Sequence, residues 1–317
     1  MARPLLRIGT RGSALALAQA AELAARLAAA HAPLAEPGAI ETVVIKTTGD
    51  QVKDRTLAAI GGKGLFTKEI EEALLAARID LAVHSLKDLP TFLPDGLVLA
   101  CHLPREDPRD AFFAPRATGL ADLAAGAVIG TASPRRHAQL LHRRPDLRIV
   151  PLRGNVDTRL KKLDSGVIDA TVLAVAGVKR LGLADRITAI IPPDEMLPAV
   201  AQGAIGIEIR ADDARARAYL APLDHAATAS CVTAERAVLA ALGGSCRTPV
   251  AALAEIDGDA LDLRAMIIRP DGSECLSTAR RGAIAAAAAL GGDAGAELRA
   301  RAGPGFFGAE LPEETPV

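Results

Sequence analysis

The chain has 317 residues, of which 50% are hydrophobic and 24% are charged, and its formal net charge is −1. A chain of this length with this hydrophobic share can bury a sizeable core, which excludes a disordered protein and predicts two or three domains. The balanced charge excludes a general nucleic-acid binder, because such proteins carry a strong basic excess.

The N-terminal sequence and the cysteine pattern indicate a cellular location. The first residues, MARPLLRIGTRGS, lack the apolar run of a signal peptide, and no uncharged apolar run is long enough to predict a membrane span. The four cysteines are far apart and form no CxxC pair. We therefore expect a cytoplasmic protein with reduced thiols, no membrane association and no metal site.

Strands alternate with helices over about the first two hundred residues, which predicts two α/β units with largely parallel sheets. The second unit begins after the turn-rich segment 103–109, and the last strand of the series is predicted to return to the first unit. The predicted elements are the strands Leu5–Gly9, Glu41–Lys46, Asp80–His84, Asp110–Ala114, Ala127–Gly130, Arg148–Leu152, Ala170–Ala174 and Ala204–Arg210, and the helices Ala14–Ala30, Lys68–Ala77, Pro134–Arg143, Val156–Leu163 and Ala176–Leu181.

A smaller α+β region follows, in which antiparallel strands are joined by short turns rich in Asp, Gly and Pro. We expect three domains, residues 1–103 with 203–222, residues 104–202 and residues 223–317, the last ending in a loose tail. The predicted elements of the third domain are the helices Asp224–Leu242 and Ala283–Arg301 and the strands Pro249–Ile256, Leu261–Ile268 and Ser273–Arg281.

The first candidate binding segment, Gly9–Ser13, ends a strand and opens a helix. Arg11 and Ser13 therefore lie beside free backbone N–H groups, where an anion can bind. The alternative is that Ser13 is only the N-cap of the helix.

The second candidate segment is VHSLKDLP, in which Ser85, Lys87 and Asp88 follow a strand. Ligands in open α/β sheets bind beyond the carboxyl ends of the strands. Asp88 can offer a fixed negative charge to a cation that forms during a reaction. Alternatively, Asp88 pairs with Lys87 or with a nearby arginine at the surface.

The glycine-rich segment GGKGLF carries Lys63 and Phe66, and it lacks the spacing of a Walker A loop. One interpretation is a mobile loop that brings a cation or a ring onto a ligand. The other is a simple surface turn.

Basic residues far outnumber acidic ones between Pro134 and Lys162. Two turns in this part of the chain, GTASPRR and LRGNVDTR, lie beyond predicted strands, and their polar and basic side chains suit a carboxylate or a phosphate. A single basic turn is usually a solvated face, whereas two favour a polyanionic ligand. The residues concerned are Thr131, Ser133, Arg135, Arg136, Arg153 and Arg159.

Cys246 lies in the segment GGSCRT, after two glycines and before Arg247. A neighbouring cation lowers the pKa of a thiol and favours the nucleophilic thiolate. A small buried cysteine is the alternative. No pattern of His and Asp partners indicates a cysteine protease.

Taken together and in order, these motifs resemble the porphobilinogen deaminase (hydroxymethylbilane synthase) family from about residue 7 to residue 250. The remaining segment fits the family's C-terminal domain in size and pattern. The motifs are TRGSALALAQA, GGKGLFTKEIE, DLAVHSLKDLP, EDPRDAF, SPRRHAQL, RRPDL, LRGNVDTRLKKLD, DATVLAVAGVKRLGL, LPAVAQGAIGIE and TAERAVLAALGGSCRTPV.

The resemblance implies an α/β fold of three domains, two resembling the lobes of type II periplasmic binding proteins and one a small α+β domain. It implies a transferase (EC 2.5.1.61) that condenses four porphobilinogen molecules, with release of ammonia, to hydroxymethylbilane in tetrapyrrole and heme biosynthesis. It also implies one dipyrromethane cofactor, attached to Cys246 through a thioether, and a monomer that hands its product to the next enzyme.

The resemblance assigns roles residue by residue. Asp88 matches the catalytic aspartate, and Lys63 and Phe66 match the mobile loop. Ala132, Asp157 and Ala201 depart from residues that are frequent in the family. The residues that match cofactor- and substrate-binding positions are Arg11, Ser13, Ser85, Lys87, Thr131, Ser133, Arg135, Arg136, Arg153, Arg159, Arg180 and Gln202.

Two other classes of function remain open. A solute-binding protein or the ligand domain of a transcription regulator shares a two-lobed fold and would bind a small anion without reaction. A family member that has lost its activity is the other alternative, and the presence of both Asp88 and Cys246 speaks against it.

Overall fold

The computed structural model describes residues 4–51, 67–244 and 248–307. The strands are β1 (Leu6–Thr10), β2 (Ile40–Val44), β3 (Leu81–Ser85), β4 (Leu97–His102), β5 (Asp110–Phe113), β6 (Val128–Gly130), β7 (Arg148–Val150), β8 (Ala170–Ala174), β9 (Ala189–Ile191), β10 (Ile205–Arg210), β11 (Val250–Asp257), β12 (Ala260–Ile268) and β13 (Cys275–Ala283). The helices are α1 (Ala14–Ala30), α2 (Thr48–Gln51), α3 (Lys68–Leu75), α4 (Pro134–Arg143), α5 (Val156–Asp164), α6 (Val175–Arg180), α7 (Ala214–Leu220), α8 (Ala226–Ala241) and α9 (Ala287–Ala302).

The chain divides into two compact units. Unit 1 contains Met1–Arg105 and Ala204–Ala229, and unit 2 contains Glu106–Gly203 and Ser230–Val317. The division into three domains remains a prediction. None of the helices within the described ranges is long and apolar enough to cross a membrane.

Unit 1 is built on a five-stranded sheet with the order β2-β1-β3-β10-β4. β1 pairs in parallel with β2 and β3, whereas β10 runs antiparallel to β3 and β4. The prediction that 204–210 forms a strand returning to the first unit is therefore confirmed. On one face of this sheet, Leu23 and Leu27 of α1 are fully buried against β1 and β3.

Unit 2 contains a second five-stranded sheet, with the order β7-β6-β8-β5-β9 and one antiparallel strand, β5. The two sheets thus share one arrangement, in which the fourth strand is reversed. The reversed strands β5 and β10 begin at the edge where the parallel strands end. Residues that precede or open β5 and β10 are therefore placed beside the turns that follow the parallel strands.

The remainder of unit 2 is an antiparallel sheet, β11-β12-β13, covered by α9. A Cβ atom at Gly291 would lie 2.0 Å from the backbone oxygen of Ala234, and one at Gly295 would lie 2.8 Å from that of Val238. Glycine at these positions lets α9 approach α8 closely. The predicted α/β fold with a small α+β region is confirmed.

Several predicted bounds agree with the structure and others do not. The helices Ala14–Ala30 and Pro134–Arg143 and the strand Ala170–Ala174 are found with the predicted limits. The predicted start of the last helix at Ala283 is wrong, because β13 extends to Ala283, which pairs with Ala260. The elements α2, β4, β9 and α7 were not predicted.

Candidate active site

Asp88 lies on a single 3-10 turn, Leu86–Asp88, directly after the central strand β3. The turn is held at its start, where the Leu86 N–H donates to the Ala204 carbonyl, and it closes with a bond from the Leu89 N–H to the Leu86 carbonyl. The Asp88 side chain is exposed and has no hydrogen-bond or ion-pair partner among the described residues. The alternative of a surface pair with Lys87 or an arginine is therefore not found.

A small recess of about 60 Å³ opens beside Asp88. Ser13 caps α1 by accepting from the Ala16 N–H at 3.2 Å, which confirms the predicted N-cap. Arg11 and Ser13 both line the recess, so the capping role of Ser13 does not remove it from the candidate site. A recess of this size is far below the roughly 300 Å³ of pockets for drug-sized ligands, and it suits one polar side arm.

Gln19 completes the polar wall of the recess and was not predicted. Its side chain is buried, and it exchanges hydrogen bonds of 2.8 and 3.1 Å with the Ser85 hydroxyl. A glutamine on the otherwise apolar buried face of α1 was the only sign of this role in the sequence.

A buried polar pair lies under the turn that carries Asp88. His84 Nε2 is 3.0 Å from Glu208 Oε2, and the two side chains are almost fully buried. Glu208 Oε1 has no partner in the described part of the chain. Burial and the nearby Glu208 carboxylate raise the pKa of Glu71, which lies on α3 beside this pair.

In unit 2, three of the predicted residues converge on one buried carboxylate, that of Asp110. Arg135 Nη2 and Arg136 Nη2 each donate to Asp110 at 2.7 Å, and Gln202 Nε2 donates at 2.9 Å. Burial alone would raise the pKa of Asp110, but the two guanidinium charges outweigh it and hold this pKa well below its ordinary value.

The remaining residues of the GTASPRR turn form the N-terminus of α4. Ser133 caps the helix by accepting from the Arg136 N–H, and its own N–H donates to Thr131 Oγ1 at 3.2 Å. Thr131 is buried and Ser133 is half-buried. Both side chains thus lie beyond the end of β6, as predicted.

The LRGNVDTR turn follows β7 in the same way. Arg153 is half-buried and has no hydrogen-bond or ion-pair partner among the described residues. Arg159 Nε donates to the Gly154 carbonyl at 2.8 Å. Asp157, one of the departures from the family's frequent residues, is exposed in the first turn of α5.

The basic residues between Pro134 and Lys162 lie at two opposite edges of the unit 2 sheet. Helix α4 leads from the end of β6 to the start of β7, so Arg144 and Arg148 lie at the edge opposite Arg136. Arg144 pairs with Asp146 at 2.7 Å and donates to carbonyl groups before β6. The local excess of positive charge in the sequence therefore does not form a single patch.

Arg180 lies at the end of α6, where both of its terminal nitrogens donate to the Gly203 carbonyl at 3.2 Å. Gln202 also donates to the Pro108 carbonyl at 2.8 Å. These two residues bind the segment before β10 to the rest of unit 2.

The predicted residues Lys63, Phe66 and Cys246 lie outside the described residues. Helix α8 ends at Ala241, and Gly243 follows it with φ of +61°. Among the described residues, no group of His, Cys, Asp and Glu is arranged to hold a metal ion.

A larger cavity of about 610 Å³ lies at the other edge of the unit 2 sheet, and none of the predicted residues line it. Its charged lining residues are Arg116, Asp122, Asp164 and Asp169. The predicted site residues that follow β6 and β7 and the larger cavity are thus at opposite edges of the unit 2 sheet.

Two models of one protein family match the chain. Residues 6–218 match the family model described as porphobilinogen deaminase, dipyromethane cofactor binding domain. Residues 229–300 match the model described as porphobilinogen deaminase, C-terminal domain.

Curated relatives match over almost the whole chain. A porphobilinogen deaminase of Paracoccus denitrificans is 59% identical over 95% of this chain and 96% of the relative. A chloroplastic porphobilinogen deaminase of Oryza sativa is 55% identical over 96% of this chain and 86% of the relative. Among solved structures, a periplasmic substrate-binding protein of an ABC transporter from Coxiella burnetii aligns with a TM-score of 0.44 and 15% identity, covering 73% of this chain and 96% of that one.

Proposed function

This chain belongs to the porphobilinogen deaminase family, and we propose on that premise that Asp88 is its catalytic carboxylate and that Cys246 anchors its dipyrromethane cofactor. The family's reaction condenses four porphobilinogen molecules, with release of ammonia, to the linear tetrapyrrole hydroxymethylbilane. The observation that carries the proposal is the exposed carboxylate of Asp88, which has no partner among the described residues and lies beside a recess lined by polar side chains.

The described side chains fit a cofactor and a substrate that carry several carboxylates. Each porphobilinogen has an acetate and a propionate arm, and guanidinium groups grip such arms through charge-assisted hydrogen bonds. Arg11 and Ser13 line the recess in unit 1, and Arg153 follows a strand end in unit 2. When bound, dipyrromethane supplies the free pyrrole α-carbon to which the first substrate is joined.

Asp88 acts on the charge that develops in the substrate. Loss of ammonia from the aminomethyl group leaves an electron-poor methylene-pyrrole that carries positive charge. A carboxylate oxygen of Asp88 accepts a hydrogen bond from the pyrrole N–H and stabilises this charge. The same oxygen can take up and return a proton, since no ion pair within the described ranges engages it.

The rigid turn around Asp88 keeps this carboxylate in place. Leu86 is buried, and its N–H is bonded to the Ala204 carbonyl before β10. Because the turn follows the central strand of the sheet, its backbone is fixed by strands on both sides. A charge held in this way stabilises a cation without first having to reorganise.

Two measurements test the assignment. Intact mass of the purified protein should show an adduct of two pyrrole units, which Cys246→Ser should lack. Asp88→Asn should keep the adduct and lose about 10²–10³ in turnover of porphobilinogen. Asp95→Asn, which alters an exposed acid on the next loop, should keep both.

Each outcome separates the alternatives. A protein that only binds anions would carry no adduct, and an inactive family member would show no turnover. Near-normal turnover by Asp88→Asn with an intact adduct would contradict the role of Asp88.

The finer assignments are also proposals. We propose hydroxymethylbilane synthase activity of class EC 2.5.1.61 and a cytoplasmic monomer of three domains that passes its product to the next enzyme. Among the described residues, Cys101, Cys231 and Cys275 form no disulfide bond, which supports a reducing compartment. Size-exclusion chromatography with light scattering tests the monomer.

A further inference from the structure

Asp110 occupies a central position among the basic residues of unit 2. It is the first residue of β5 and pairs with Ala174, the last residue of β8. Because β5 runs antiparallel to its neighbours, Asp110 lies at the edge where the parallel strands β6 and β8 end. Its carboxylate is fully buried, so it cannot itself reach a ligand in solution.

The two arginines that bind Asp110 are held in different ways. Arg135 donates through Nη2 to Asp110 and through Nη1 to the Leu197 carbonyl, both at 2.7 Å, so each terminal nitrogen has an acceptor. Its Nε is buried without a partner. Arg135 is therefore engaged by the protein.

Arg136 presents one unused side of its guanidinium group. Its Nη2 and Nε donate to Asp110 Oδ1 at 2.7 and 3.2 Å. Its Nη1 has no acceptor in the described part of the chain. This nitrogen is also not one of the buried polar atoms that lack a partner, so it is accessible to solvent. The Arg136 side chain is only 6% exposed, so the edge of the guanidinium that carries Nη1 is the part left for a ligand.

The charges around Asp110 leave a net positive site. One carboxylate faces two guanidinium groups, so a single positive charge remains uncompensated. Gln202 adds a neutral donor to Asp110 Oδ1 and so fills the remaining bonding capacity of that oxygen. A ligand carboxylate would restore the charge balance.

From this arrangement we propose that Asp110 is a positioning residue. It fixes the guanidinium group of Arg136 so that Nη1 meets a carboxylate arm of the substrate, and this role rests on the proposed function. Arg135 braces Asp110 from the other side. An arginine side chain left unrestrained would lose rotamer freedom on binding, and fixing it beforehand removes that cost.

The test uses the cofactor-loaded enzyme and two variants. Asp110→Asn removes the charge, and Asp110→Glu keeps the charge but moves the carboxylate by one methylene. The probes are porphobilinogen and an unreactive pyrrole that has the same acetate and propionate arms but no aminomethyl group. Calorimetry gives the Kd of the unreactive pyrrole without turnover, and kinetics per loaded molecule give kcat and KM.

Both variants should raise this Kd and the KM for porphobilinogen by about tenfold to a hundredfold, because a charge-assisted contact of this kind has that weight. The kcat should change far less. If Asp110→Asn does not fold, Asp110→Glu decides. Asp146→Asn, which breaks an acid–arginine pair at the far end of α4, should leave both constants within about twofold.

A double-variant cycle tests whether Asp110 acts through Arg136. When Arg136→Lys is already present, Asp110→Glu should add little to the Kd. Unchanged Kd and KM in the Asp110 variants, or effects that add fully to those of Arg136→Lys, would overturn the inference. If instead the wild-type protein lacks the adduct and turnover, it is the proposed function that fails.

Discussion

His84 on β3 and Glu208 on β10 form a buried hydrogen-bonded pair, with 3.0 Å between Nε2 and Oε2. The pair joins the strand that carries the Asp88 turn to the strand that returns from unit 2. These two residues are 124 positions apart in the chain. The contact therefore links the two separate segments of the chain that form unit 1.

Removal of the Glu208 carboxylate should destabilise the protein. We expect Glu208→Ala to cost about 1–3 kcal/mol, because it leaves the buried His84 ring without its hydrogen-bond partner. Glu208→Gln keeps an acceptor and should cost clearly less. Urea unfolding measures both, and Glu36→Ala at an exposed acid should change stability by less than about 0.5 kcal/mol. Equal costs for the Ala and Gln variants would contradict this account of the pair.

Stability should depend on pH through Glu71. Burial, together with Glu208 and Glu69, raises the pKa of Glu71 above the ordinary value of 4.5, and Thr67 and His84 offset this only in part. The folded state therefore binds the proton more tightly than the unfolded state does. The stability that this tighter proton binding adds is complete at pH values below the ordinary pKa of 4.5. It is lost as the pH rises through the pKa of the folded state.

Glu71→Gln should remove this loss. We expect the variant to gain stability relative to the wild type as the pH rises from 4.5 through the raised pKa, and to keep that gain at neutral pH. Thermal unfolding across this pH range measures the difference. The exposed neighbour on the same helix provides the control, since Glu72→Gln should show no such trend. A gain in stability that grows towards acid pH would contradict a raised pKa for Glu71.

Arg153 should contribute to substrate binding rather than to folding. It is half-buried, and no side chain of the described part of the chain pairs with it. Arg153→Gln should raise the KM for porphobilinogen by about tenfold to a hundredfold with little change in melting temperature. Arg148→Gln, at the opposite edge of the sheet, should leave KM unchanged. Similar KM values for the two variants would argue against two separate basic regions.

Ala77 adopts a left-handed conformation, with φ of +52°, two residues after the end of α3. Its N–H donates to the Leu74 carbonyl, as in a helix that glycine commonly ends. Ala77→Gly should stabilise the protein by about 0.5–1 kcal/mol, since the relief of strain exceeds the entropy cost of glycine. Ala76→Gly, one residue earlier at φ of −77°, should show no gain in the same unfolding assay.

Local patterns in the sequence determined the elements that carry their own signals. Helix α1 has an apolar period and the N-cap Ser13, and α4 has Pro134 directly after the N-cap Ser133. Caps and periodicity involve residues only a few positions apart, so they can be recognised without the fold. The motifs also placed Asp88, Ser133 and Arg153 beyond strand ends.

Only the tertiary structure decided which residues meet. Strand β9 has three residues, and its identity depends on pairing with β5. Asp110 gave no signal as a binding centre, because Arg135 and Gln202 reach it from 25 and 92 positions away. In each sheet, the reversed strand, β5 or β10, begins at the edge where the parallel strands end, and this brings such partners together there. Long-range pairing of this kind follows from the packing of whole sheets, which no local pattern of residues encodes.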